Sequence, residues 1–198
     1  DIILSDTSTL KSLPQREIIS GYGEILKHSI ILSKKFFLWL VKNAKQIIIK
    51  KNNIVLQKAI IESCKIKCKI VNKDENEKGL RMILNFGHTF AHGFEGAKNF
   101  TKKINHGEAV LLGMMLASEL SYKIKILPLE DLLILKKHYV HLKLPFSITK
   151  NFKKNEVKKI VNFMRKDKKN ISEKINLILL NKIGKTTKPR EFSIKTSM

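Results

Sequence analysis

The sequence predicts a mainly α-helical, multi-helix domain with a small β-hairpin near the C-terminus, and three observations carry this prediction. Apolar residues recur at three- and four-residue intervals over most of the chain. Pro14 and Pro128 stand where two of these periodic stretches begin. The run Ile175-Asn176-Leu177-Ile178-Leu179-Leu180 reads as a strand, and the residues after Gly184 are expected to return beside it.

Residues 1 to 6 read as the end of a strand closed by Ser5 and Asp6, with no partner strand nearby. Residues 1–10 are therefore expected to be a strand remnant or linker cut from a larger sheet, and 11–198 the helical domain. Ile18, Ile19, Tyr22, Ile25 and Leu26 form the apolar stripe of the first helix. Its other side carries Glu17, Ser20, Gly21, Glu24, Lys27 and His28; two glycines in a helix imply close approach of another backbone or a ligand. A second helix is expected over about residues 34–50 and a third over about 54–71, the latter ending in a polar turn closed by Gly79. After the central histidines, residues 109–124 form an apolar helix with Gly113, Ala117 and Ser118 for tight packing. Pro128 opens another through about Leu142, with His138 and His141 as packing or solvent residues, and Pro145 ends it. A basic helix over about 154–165 precedes the strand.

At 198 residues the chain can bury a core without disulfide or metal staples. Cys64 and Cys68 lie in one helical pattern at a spacing that suits neither a disulfide framework nor a CxxC pair, so both are expected reduced, in the core or half-buried. No apolar run reaches the ~20 residues of a membrane span, and the expected location is cytoplasmic. The net charge of +22 invites a nucleic-acid reading. However, the lysines are spread along the whole chain, and arginine is confined to Arg16, Arg81, Arg165 and Arg190, whereas nucleic-acid surfaces concentrate arginine and aromatics. A solvated lysine-rich surface fits better.

The chemistry concentrates in Arg81 to His92 and Asn105 to Ala109, where an Arg, an Asn and three His fall within one helix-loop-helix. His88 and His92, four apart, share a helix face. Catalytic zinc takes three protein ligands, commonly His and a carboxylate, and keeps a fourth position open. The candidates are His88, His92, His106, Glu24, Glu95 and Glu108, and spacing does not choose among them. Glu108, in the first turn of a helix, is explained by the helix dipole. The same positive helix end disfavours protonation of His106, which suits a ligand.

Five segments, taken together, resemble the 3-dehydroquinate synthase family in order and spacing. They are Gly21 to Lys27, Lys67 through Asp74 to Arg81, Leu84 to His92, Asn105 to Val110, and Asp167-Lys168-Lys169. The resemblance runs from Leu13-Pro14 to Ile183-Gly184 and is to the family's C-terminal, helical, metal-binding domain. Departures at Gly23, Ala91 and Gly93 exchange one small residue for another.

The resemblance implies that Glu24, His88 and His106 hold zinc or cobalt. It implies that Lys27, Lys67, Arg81, Asn85 and His92 meet substrate, and that one lysine of Lys168 and Lys169, Lys168 in preference, meets phosphate. His92, oriented by Glu77, is the implied carrier of a hydroxyl proton. The implied substrate is a small anionic sugar phosphate, 3-deoxy-D-arabino-heptulosonate 7-phosphate, converted to 3-dehydroquinate and phosphate in the shikimate pathway of aromatic amino acid biosynthesis. The implied reaction oxidises a ring hydroxyl transiently with NAD, eliminates phosphate, reduces the ketone, opens the ring and closes a carbocycle. No Gly-rich phosphate-binding loop is present here. NAD is thus expected on an N-terminal domain outside this chain, leaving the isolated chain inactive, and the full-length enzyme is expected to be a homodimer. The competing readings are another sugar phosphate cyclase of the superfamily and a catalytically inactive helical domain.

Overall fold

The computed structural model describes residues 5–166 and 174–195. The helices are α1 (Gln15–Leu32), α2 (Lys34–Ile48), α3 (Asn53–Val71), α4 (His88–Ala97), α5 (His106–Lys123), α6 (Leu129–Leu142) and α7 (Val157–Arg165). They are followed by strands β1 (Lys174–Leu177), β2 (Leu180–Lys182), β3 (Lys185–Thr186) and β4 (Phe192–Lys195). Of the expected strand remnant, residues 1–4 lie outside the described residues, and Thr7–Ser12 form a 3-10 helix capped by Asp6.

Local chemistry sets most helix ends. Ser33 accepts from Phe36 N to start α2, and Asn52 accepts from Val55 N to start α3. Asn105 and Glu108 form a reciprocal capping box at α5. Pro128 precedes α6, which ends at Lys143 in the left-handed conformation (φ 55°). The expected single strand is instead broken after Leu177: β1 pairs antiparallel with β4, and β2 with β3 around a bulge. The reason lies in where this hairpin docks. Leu180 N donates to Ser121 Oγ of α5 (2.9 Å), Ile183 N to buried Asp131 of α6 (2.9 Å) and Gly184 N to Ile30 O of α1 (2.7 Å), so the chain bends to reach three helices.

The central element is α5, which packs against α1, α4 and α6, while α1 also packs on α2 and α3. Leu111, Leu112, Met114, Met115 and Ala117 on it are fully buried among Leu26, Phe86, Phe94 and Tyr139. The α4–α5 approach is backbone to backbone: a Cβ on Gly113 would overlap the Gly87 carbonyl oxygen. The α1–α5 approach is equally close, with Gly107 against Ser20 and Gly23 facing Leu111 and the Gly107 carbonyl. Gly21 departs from expectation, because nothing lies within 4 Å of where its Cβ would be. Cys64 and Cys68 also depart: both are exposed, since α3 turns Leu56, Ala59, Ser63 and Ile70 inward and leaves the cysteines on the opposite face. His138 is buried against the Tyr22 hydroxyl (2.7 Å), and His141 is exposed.

The two glycines predict opposite outcomes for one substitution. Gly113→Ala forces α4 and α5 apart and should lower stability by about 1–3 kcal/mol. Gly21→Ala, in an open helix position, should raise it by up to ~1 kcal/mol. Urea unfolding midpoints measure both.

Candidate metal and substrate site

Three helices converge on one point. Glu24 stands midway along α1, His88 is the first residue of α4, and His106 is the first residue of α5. One ligand atom from each lies within 4.8 Å of the others, and no other group of three His, Cys, Asp or Glu among the described residues meets this condition. His88 Nε2 is 3.7 Å from Glu24 Oε1, and the rings of His88 and His106 are 5.3 Å apart at their centroids. The other three candidate ligands are placed differently. His92 stands edge-on to His88 at 5.9 Å; Glu95 Oε1 meets His106 Nδ1 at 3.1 Å; Glu108 caps its own helix and pairs with Arg16 at 2.6 Å.

The donor set fits a divalent ion. Two imidazoles and a carboxylate are a common three-residue zinc set with a fourth position left open. Glu24 Oε2 accepts from Lys27 Nζ at 2.6 Å, while Oε1 is buried without a hydrogen-bond partner among the described residues. A buried anionic oxygen left unpaired is costly, and a cation between Glu24 and the two imidazoles removes that cost.

Charge at the site is set by burial. Lys27 is only 3% exposed, rare for a lysine. Burial raises the Glu24 pKa, but the Lys27 charge and hydrogen bond outweigh it and hold the carboxyl below its usual range. Burial first, and then Lys27, push His88 down to about 3, so its ring is neutral and can offer a lone pair. His106 departs from expectation: its hydrogen bond to Glu95 outweighs burial and raises its pKa.

Beside the donors lies a cavity of about 240 Å³ lined by Glu24, Lys27, His28, Lys67, Glu77, Arg81, Leu84, Asn85 and His88. It gathers Lys27, Lys67 and Arg81, three of the cations that the sequence singled out. A loop held by Asp74 delivers Glu77 and Arg81: the Asp74 carboxylate accepts from the backbone N–H groups of Lys78, Gly79 and Arg81 at 2.8–2.9 Å. Within that loop Glu77 takes a left-handed conformation (φ 54°), and its Oε1 accepts from Asn85 Nδ2 at 2.8 Å. Arg81 Nη1 donates to the Glu75 carbonyl at 2.6 Å. Lys168 and Lys169 lie outside the described residues.

His28 is a cavity residue that sequence reasoning passed over. It is buried, its Nδ1 is 2.7 Å from Ser63 Oγ, and burial followed by Lys27 lowers its pKa to about 4. The available signal was its place next to Lys27, one turn after Glu24.

The family described as 3-dehydroquinate synthase C-terminal matches residues 21–170. The chain belongs to the 3-dehydroquinate synthase family. It is 49% identical over 195 residues to the 3-dehydroquinate synthase of Pelagibacter ubique, covering 98% of this chain and 53% of that protein. With the 3-dehydroquinate synthase of Dictyoglomus thermophilum it shares 41% identity over 186 residues, covering 93% of this chain and 50% of that one. The chain thus spans about half the length of the curated relatives it matches. Among solved structures, 2-epi-5-epi-valiolone synthase from Streptomyces hygroscopicus subsp. jinggangensis, with NAD+ and Zn2+ bound, superposes with a TM-score of 0.80 at 20% identity, covering 94% of this chain and 51% of that one. A 2-deoxy-scyllo-inosose synthase complexed with carbaglucose-6-phosphate, NAD+ and Co2+ gives 0.70 at 23% identity, covering 94% and 53%. Both likenesses establish the fold.

The span matched to the 3-dehydroquinate synthase family contains all three donors and every cavity residue. Among the described residues no helix is long and apolar enough to cross a membrane.

Three imidazoles of this chain are kept neutral chiefly by burial, which lowers His28 and His138 from an ordinary 6.5 to about 4 and His88 to about 3. Between these values the unfolded chain binds more protons than the folded one. Stability of the metal-free chain should therefore be full above about pH 6.5 and fall steadily as the pH drops toward 4. Urea midpoints across this range check it, and His28→Asn should make the fall shallower.

Proposed function

We propose that this chain is the metal- and substrate-binding part of a 3-dehydroquinate synthase, a phosphate-eliminating lyase that converts 3-deoxy-D-arabino-heptulosonate 7-phosphate to 3-dehydroquinate. NAD is held by a dinucleotide-binding domain outside this chain. The observation that carries this reading is the buried, unpartnered Glu24 oxygen within reach of two imidazoles, beside a cavity lined by Lys27, Lys67 and Arg81. A substrate with a carboxylate at one end and a phosphate at the other needs such a set of cations.

Glu24, His88 and His106 would hold zinc or cobalt. When bound, the ion would supply Lewis acidity at the hydroxyl to be oxidised, and NAD would supply the redox chemistry. The chain's own groups do the rest. Lys27 pins one Glu24 oxygen and keeps the carboxyl ionised at neutral pH, so the other oxygen is available to a cation. Arg81 has a planar fork suited to a carboxylate, and Lys67 and Lys27 act as compact charges toward the substrate's anionic groups. Asn85, steadied by Glu77, presents an amide to substrate hydroxyls. His92, one turn beyond His88, takes up the hydroxyl proton. Lys168, with Lys169 as its neighbour, is assigned to the phosphate by resemblance alone.

A second reading is another sugar phosphate cyclase of the same fold, since the solved structures that share this fold are named as synthases of other products. The 49% identity to a 3-dehydroquinate synthase, against 20–23% to those structures, favours the first.

Equilibrium dialysis against Zn2+ should find one ion per chain, and Glu24→Gln, His88→Ala and His106→Ala should each remove tight binding. Zinc retained by all three variants would falsify the ligand assignment. Arg81→Lys keeps the charge but loses the fork, so substrate binding to the full chain, followed by calorimetry, should weaken about tenfold, equivalent to ~1.4 kcal/mol. Binding unchanged by Arg81→Lys would remove Arg81 from the carboxylate role.

A further inference from the structure

Each proposed imidazole ligand has two ring nitrogens, and a metal can use only the one that carries no proton. Which nitrogen that is depends on what the other one meets. In His88 the question is answered by the main chain: Nδ1 lies 3.3 Å from the Phe86 carbonyl oxygen, which can only accept, and Nε2 points toward Glu24 at 3.7 Å. His106 has a different arrangement. Its Nδ1 is 3.1 Å from Glu95 Oε1, and its side chain is half exposed, whereas Glu95 is 16% exposed.

Glu95 lies on the same helix as His88 and His92, seven and three residues farther on, so all three fall on one face of α4. The helix that carries one ligand therefore also reaches across to the ring of another on α5. Glu95 is not one of the three residues whose donor atoms converge. Its carboxylate oxygen is an acceptor only, and it can bond to His106 Nδ1 only if that nitrogen bears the proton.

We propose that Glu95 is a positioning residue, which holds His106 as the Nδ1–H tautomer and turns Nε2 toward the ion site formed with Glu24 and His88. This inference rests on the ligand assignment above. It adds that the two imidazoles are not equivalent: His88 is oriented by a neutral carbonyl, and His106 by a carboxylate that also makes the ring a stronger donor. Loss of such a carboxylate partner typically weakens metal binding about 10–100-fold while leaving the ligands in place.

The test uses the full chain with Zn2+ alone, titrated in competition with a chromogenic chelator. Glu95→Ala should weaken binding about 10–100-fold at unchanged stoichiometry. Glu95→Gln, which keeps the shape and an acceptor oxygen but no charge, should fall between Glu95→Ala and the parent. Long-range 1H–15N spectra of the zinc-loaded chain should show His106 as the Nδ1–H tautomer in the parent and in Glu95→Gln. The Co2+-loaded visible spectrum should keep its band positions in Glu95→Gln, since no ligand is exchanged. Zinc affinity of Glu95→Ala within twofold of the parent, or an Nε2–H tautomer in the parent, overturns the proposal. If His106→Ala binds zinc as tightly as the parent, the ligand assignment itself has failed and the proposal falls with it. That outcome is distinct from an insensitive Glu95 beside a sensitive His106.

Discussion

The close approach of α5 to its two neighbours is the constraint on which the site depends. Donor atoms that must lie within 4.8 Å of one another come from three helices, and ordinary side chains at the crossings would hold those helices too far apart. Gly113 lets α5 touch the carbonyl of Gly87 at the start of α4, and Gly107 lets its first turn rest on Ser20 of α1. Gly87 itself has φ +80°, a conformation that favours glycine, and it turns the chain so that His88 opens α4 facing the centre. The capping box of Asn105 and Glu108, tied to α1 through Arg16, fixes the matching end of α5. Each of these contacts sets the position of a ligand without touching an ion.

Electrostatics then determines the chemical state of those ligands. A buried lysine is unfavourable unless it is paired, and Lys27 is buried because Glu24 meets it at 2.6 Å. The same ammonium keeps Glu24 ionised and opposes protonation of His88 and His28. One partly buried ion pair therefore prepares both an anionic oxygen and a neutral imidazole, the two donor types that a zinc-like ion takes. The overall charge of +22 has a local counterpart here, since the cavity wall carries Lys27, Lys67 and Arg81 against Glu24 and Glu77.

Several features were legible along the chain because they are local. The periodicity of α1, α2, α3 and α6 located those helices to within a few residues, and Pro14 and Pro128 marked two starts. The one-turn spacing of Glu24 and Lys27 beside a glycine was readable, as was the place of Glu108 in the first turn of a helix, where the helix dipole accounts for it. Other features were not legible. Cys64, Cys68 and Gly21 sit in helices whose periodicity says only that one face is buried, and their neighbours in space settle which face it is. The break between β1 and β2 follows from hydrogen bonds to Ser121, Asp131 and Ile30, between 52 and 154 residues away by number, which no local propensity encodes.

By itself the sequence determined the helical class, the small β element and the set of polar residues from which a site could be built, because propensity, capping and motif spacing act within a few residues. Residue spacing left six candidate donors open; the tertiary structure brings Glu24, His88 and His106 together, as the resemblance implied, and it alone shows that Glu95 meets His106 and that His28 lines the cavity. Those outcomes depend on distances between helices, which are set by side-chain volume at crossings such as Gly113 on Gly87, and a distance between segments far apart in the chain is not a property of either segment.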